Sequence, residues 1–180
     1  VKYVSKSGVS MNINTTYTKI ITGEDLMETA QHGSTLYPFQ FYYEDLSVFD
    51  FNCIEWHWHT ELEFIYIESG TVTLWIGEDQ FHLTEGNGIF INTKVLHRLY
   101  SPSKALIPNF VFMPSFIAPC DSLIYQKYIL PIISSSLPFL VFHKKVCWQA
   151  KVLSIMRQII SAQDSVSVSY THLRAHETRR

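Results

Sequence analysis

The residues of this chain whose types and spacing could do chemistry gather in one heptapeptide, His57-Trp58-His59-Thr60-Glu61-Leu62-Glu63. In an extended strand, side chains two apart share a face. On that rule His57, His59, Glu61 and Glu63 project to one side, and Trp58, Leu62, Phe64 and Tyr66 to the other. Two imidazoles and a carboxylate on one face, with a further imidazole from a later segment at His97, make a transition-metal ligand set. Imidazole suits Zn, Ni, Cu and Fe, and a mixed histidine/carboxylate set with open positions suits Fe, Mn or Ni. The reading therefore predicts His57, His59, Glu63 and His97 as ligands of a divalent transition metal, Zn, Ni, Fe or Mn. Two blander readings stand beside it: the four groups hydrogen-bond a polar ligand without metal, or the HWH run only packs tryptophan at a barrel mouth.

The elements that must position these groups are short strands. From Phe39 to about Met113 the segments FQFYY, IEWHWH, LEFIYIE, TVTLWI, QFHL, GIFIN, HRLY and NFVFM are rich in β-branched and aromatic residues. ESG, GED, TEGNG and SPSKA divide them as turn signals, the pattern of an all-β sandwich or barrel. Residues 1–35 read as a polar lead-in with one weakly helical stretch, GEDLMETAQHG, closed by Gly33. Residues 36–115 form the barrel and 116–164 a helical linker or dimerisation segment. Within the latter, SLIYQKYILPIISSS is predicted as a short helix interrupted by Pro131, followed by an apolar connector around Pro138. KKVCWQAKVLSIMRQIISAQ then carries Val146, Ala150, Leu153, Met156 and Ile160 at helical spacing, a stripe that packs on the barrel or pairs two chains. The tail 165–180 lacks periodicity and is expected neither to continue that helix nor to be native to the gene.

Composition bounds the function. Hydrophobic residues are 47% of the 180 and charged residues 17%, which indicates a folded core and argues against disorder. The formal net charge of −2 removes bulk attraction to nucleic acid. Cys53, Cys120 and Cys147 lie far apart without a CxxC pair, so they read as reduced thiols. No apolar run approaches a membrane span and the N-terminal residues are too polar for a signal peptide, so the expected location is the cytoplasm.

The motif spacing resembles the cupin family. His57, His59, Glu63 and Gly70 match its first motif, and Gly86 with His97 match its second; Asn92, Lys94 and Ser101 stand where that family usually has Pro, Gly and Asn. The resemblance implies a mainly β fold, a cupin-type double-stranded β-helix or jelly-roll barrel, followed by C-terminal α-helices. ELEFIY, SGTVTLWIG, LTEGNGIFIN and VLH further resemble the N-terminal sensor domain of AraC/XylS-type transcription regulators, over about residues 25–163. This second resemblance implies an effector-sensing domain that forms a homodimer and reaches promoter DNA only through a helix-turn-helix domain missing here. No membrane partner and no enzymatic activity are expected. The small-molecule effector would meet Glu61, Ile65, Ile67, Leu74 and Phe81, several of which also fit a plain core role. Trp58 and Trp75 would cover the barrel exterior, under the C-terminal helix. Two alternatives remain: a stand-alone metal-dependent cupin enzyme, a dioxygenase or isomerase, with Glu61 its one candidate acid–base group; and a structural dimer module built on the Val146–Ile160 helix.

Overall fold

Alternation along the strands sorts their side chains into an inner and an outer set, and two antiparallel sheets follow from that sorting. A computed structural model describes residues 2–4, 10–12 and 17–177, with side chains over 17–163. Parts of the polar lead-in (1, 5–9 and 13–16) and the last residues of the tail (178–180) lie outside the described residues. β1 (Lys2–Val4) and β2 (Ser10–Asn12) pair with each other. The following strands are β3 (Phe39–Asp45), β4 (Cys53–His57), β5 (Leu62–Tyr66), β6 (Thr71–Ile76), β7 (Asp79–Thr84), β8 (Gly88–Ile91), β9 (His97–Tyr100), β10 (Leu106–Phe112) and β11 (Phe139–Phe142). One sheet has the order β11-β8-β5-β10-β3 and the other β4-β9-β6-β7. Among the described residues no helix is long and apolar enough to cross a membrane.

The core between the sheets is aliphatic. Ile65, Ile89, Ile91 and Ile107 from the five-stranded sheet, with Ile67 just past the end of β5, meet Ile54, Val72, Leu74, Ile76, Leu83 and Leu99 from the four-stranded one. Burying an aliphatic side chain contributes about 1.5–3 kcal/mol, so this layer is a main source of the barrel's stability. The five-stranded sheet is buried on its outer face as well. There Tyr66, Phe90, Phe110 and Phe142 pack against Leu153, Met156 and Ile160 of α2 (Cys147–Glu177). Leu153, Met156 and Ile160 are the inner members of the predicted stripe, and they lie on the barrel. Gly88 permits the approach: a Cβ there would sit 3.0 Å from Leu153 Cδ2 and 3.3 Å from Met156 Cε.

Four local expectations need correction. GEDLMETAQHG is not a helix: Asp25 Oδ1 accepts from Met27 N, Leu26 takes a left-handed φ of 66°, and Met27 bridges Trp58 as a parallel β pair. A carboxylate capping its own backbone and a neighbouring chain offering β partners outcompete a weak helix. Pro131 does not break its helix: a wide turn over Tyr125–Ile129 leads straight into α1 (Leu130–Ile133), with Leu130 N–H bonded to Tyr125 O. The connector around Pro138 carries a strand, β11, in register with β8. Finally, α2 runs on to Glu177 in place of the expected stop near Ser165.

Candidate metal centre

Each of the four predicted ligands reaches the barrel interior by its own route. His57 ends β4 and faces His97, the first residue of β9, as a cross-strand pair. Ile54 and His57 are an odd number apart, yet both face inward, because a register shift lies between them. An extra residue in one strand inverts the side-chain parity beyond it. His59 lies after the strand, where its carbonyl accepts from Lys94 N at 2.7 Å. Glu63 belongs to the opposite sheet, in β5 between Ile91 of β8 and Val111 of β10. The single strand assumed for His57 to Glu63 is therefore two strands in two sheets, and the four groups converge across the barrel.

The geometry is that of a ligand set. His57, His59, Glu63 and His97 are 5%, 4%, 7% and 0% exposed. His57 Nδ1 lies 2.8 Å from Glu55 O and His97 Nδ1 lies 2.8 Å from Val95 O. A carbonyl can only accept, so both Nδ1 atoms carry the proton and both Nε2 lone pairs face inward, the arrangement that orients metal-binding histidine. One ligand atom from each of His57, His59 and His97 falls within 4.8 Å of the others. Glu63 Oε2 sits 3.3 Å from His59 Nε2 and 3.2 Å from His97 Nε2. Atoms about 2.0–2.1 Å from a shared tetrahedral ion lie about 3.3 Å apart, so this spacing fits a metal. His97 Nε2 has no aligned hydrogen bond despite Glu63, and His59 Nδ1 also has none. A buried imidazole nitrogen without a partner is costly unless something coordinates it. The residues fit a divalent transition metal.

Burial acts first on each of these groups. It lowers the His57 pKa to about 3, with the neighbouring His97 adding to the effect, so His57 is neutral. For His59 burial also lowers, but the Glu63 hydrogen bond and charge, with Glu28 and Glu61, hold it above the ordinary imidazole value. For Glu63 burial raises, but the His59 hydrogen bond and the neighbouring His97 and His59 imidazoles hold it well below the usual carboxylate range. Glu63 is thus ionised, as a ligand must be.

The cavity beside this centre is small. About 30 Å³ is open to the centres of water-sized molecules, room for roughly two waters. Of the predicted effector contacts, only Ile65 lines it. Ile67 and Leu74 are sealed in the core at 0% exposure, and Phe81 packs edge-on against Phe139. Glu61 Oε2 lies 3.8 Å from His59 Nδ1 and accepts from Thr60 Oγ1, beside the centre and off the cavity wall. Trp58 lies under the lead-in, donating Nε1–H to Asp25 O, and Arg98 covers Trp75 at 5.1 Å; α2 packs on the other sheet.

Sequence reasoning missed the rest of the lining, where Tyr17, Glu28, His32, Tyr42, Glu44 and Asn109 share the same cavity, His32 with its ring 5.5 Å from that of His59. Tyr17 OH donates to Glu44 Oε1 at 2.6 Å and Asn109 Nδ2 to Glu44 Oε2 at 3.1 Å. His32 Nδ1 lies 2.9 Å from Tyr42 OH. A signal existed for two of them: Glu44 alternates with Tyr42 and Leu46, and Asn109 sits between the inward residues Ile107 and Val111. A polar residue at an inward position of an apolar strand marks a site.

Comparison with known proteins finds similarity over parts of the chain. Residues 53–107 match the family model described as Cupin domain, a span that holds all four candidate ligands. Over 143 residues the chain is 24% identical to an uncharacterized HTH-type transcriptional regulator, YdeC, of Bacillus subtilis, covering 77% of this chain and 48% of the relative. The chain thus spans about half the length of that curated relative. A cupin superfamily protein from Desulfitobacterium hafniense aligns at 10% identity and a TM-score of 0.40, over 45% of this chain and 71% of that one. A cupin-2 domain protein from Shewanella frigidimarina aligns at 20% identity and a TM-score of 0.36, over 45% and 81%. Residues 53–107 are thus similar to the cupin domain model, and the fold is mainly β, two antiparallel sheets followed by a C-terminal helix.

Proposed function

We propose that this chain is the sensor part of an AraC/XylS-type transcription regulator, in which a divalent transition metal and a small effector share the barrel. The observation that carries the metal is the convergence of three buried histidines and Glu63, two of the histidines held by backbone carbonyls with Nε2 inward. A divalent ion there supplies a Lewis-acid anchor for a ligand atom. The regulator half of the reading rests on the likeness to the B. subtilis protein. In it, promoter DNA is read by a further domain, α2 carries dimer contacts through exposed Trp148 and Ile155, and the protein works in the cytoplasm.

The small cavity favours this over a stand-alone enzyme, since about two water volumes leave space for a resident ion and a compact ligand but not for a sizeable substrate. The test is metal analysis of untagged protein, followed by Co²⁺ titration read in the visible spectrum. About one ion per chain and tetrahedral Co²⁺ bands lost in His97→Ala are expected. A folded wild-type protein that takes up neither Zn²⁺ nor Co²⁺ would sink the metal reading. For regulation, promoter binding of the full-length protein should change when the metal is stripped.

A further inference from the structure

Beside the histidines the cavity lining carries two further carboxylates, a phenol pair and another imidazole, His32, whose ring lies 5.5 Å from that of His59. Glu44 is 4% exposed and the Glu28 side chain 7%. With Glu63 they put three carboxylates on one cavity, and no Lys or Arg lines it among the described residues. The neutral donors there are few. Tyr17 OH and Asn109 Nδ2 each occupy one oxygen of Glu44, which leaves each oxygen a second lone pair. His32 is 5% exposed, and its Nε2 has no aligned hydrogen-bond partner although Glu28 Oε2 lies 3.3 Å away. This wall therefore offers acceptors and negative charge, and has an unpartnered buried nitrogen on the cavity.

What would satisfy it is a compact cation with several N–H donors. An anion would meet Glu28 and Glu44 in a site of low dielectric, where like charges repel strongly. A second metal ion is not favoured. Among the described residues the only histidine/acid group at metal-ligand spacing is His57, His59 and His97. A primary ammonium fits, because its N–H groups can donate to the carboxylate lone pairs while its charge offsets the wall.

We infer that the Glu28–His32–Glu44 wall is a recognition subsite for the ammonium group of a small primary amine. This rests on the reading of the barrel as a ligand chamber and names the chemical class of its ligand.

The test uses the smallest members of three charge classes, sized for a cavity of about two waters. Methylammonium, methanol and formate are titrated into the full chain at about pH 8, above the Glu44 value of about 7 so that its carboxylate is charged, at one ionic strength, and read by ligand-observed NMR. Methylammonium should bind at least about tenfold more tightly than the other two, and Glu44→Gln should weaken it at least about tenfold, the scale of one charge-assisted hydrogen bond. Formate or methanol binding as tightly, or undiminished methylammonium binding in Glu44→Gln, overturns the proposal. Glu28→Gln is the second variant should Glu44→Gln not fold, with the same two outcomes. A Zn²⁺ titration of the same sample separates the two readings. Zn²⁺ uptake without methylammonium binding rejects the amine subsite and keeps the metal centre, and methylammonium binding without Zn²⁺ uptake does the reverse.

Discussion

Replacing Glu44 by Gln isolates a buried carboxyl whose proton the fold should hold into the neutral range. Burial pushes the Glu44 pKa up from 4.5 to about 7; hydrogen bonds from Tyr17 and Asn109 pull it down without cancelling that, and Glu63 and Glu28 push it up further. Between those two values the folded chain keeps a proton that the unfolded chain has released. The associated stability is therefore fully present below about pH 4.5, declines as pH rises and is gone above about pH 7. Each pH unit is worth about 1.4 kcal/mol, so the interval amounts to about 3 kcal/mol. For a chain of this size that is roughly 6–12 °C in Tm. Gln has the same shape and no proton to lose. Its amide can accept from one neighbour and donate to the Tyr17 oxygen, so the exchange costs about 1 kcal/mol at every pH. The measurement is the Tm of both proteins in EDTA, by circular dichroism, from about pH 5 to 8. Groups common to the two cancel in the difference. Glu44→Gln should be the less stable below about pH 5 and gain on the wild type with each unit, overtaking it by about pH 7. A Tm difference that stays flat across the range would refute the buried-acid reasoning.

Three further outcomes follow from the same packing. Zn²⁺ at about a hundred times its Kd should stabilise the chain by about 2.7 kcal/mol, roughly 5–10 °C in a thermal scan, and His97→Ala should abolish that shift. Lys94 holds a left-handed φ of 60° in the turn that bonds to His59, so Lys94→Gly should raise stability by about 0.5–1 kcal/mol in urea unfolding, and a loss would contradict the strain. Leu153→Ala on the inner face of α2 should cost about 2–5 kcal/mol, whereas Ile155→Ala, 56% exposed, should stay within about 0.5 kcal/mol in the monomer; equal effects would mean the helix lies on the sheet differently.

His57, His59, Glu63 and His97 were legible because motif spacing survives even where its geometric rationale fails. Strict alternation would have kept His57 and Glu63 on one strand, but a bulge in β4 and a crossing to the second sheet bring them together instead. Lys94 was read as a departure from a glycine position, and its positive φ is the mark of that position. The lead-in escaped the sequence because its partners are distant: Glu28 N–H is held by Trp58 O and Tyr17 by Glu44, and neither contact has a local signature. For that reason the acidic wall, to which Tyr17, Glu28 and His32 contribute, could not be anticipated, although Glu44 and Asn109 stood at inward positions of apolar strands.

By itself the sequence determined the strand-rich class, the four candidate ligands and the apolar stripe of the last helix. These are properties of residue type and period, which the chain carries locally whatever its long-range contacts. The tertiary structure alone decided which face each residue presents after a bulge and which sheet α2 covers. It also decided that Ile67 and Leu74 seal the core while Ile65 meets the cavity. Above all, it decided that acidic residues, Glu28 of the lead-in among them, share one cavity with the histidines, because contacts across the barrel are set by sheet packing and not by neighbours along the chain.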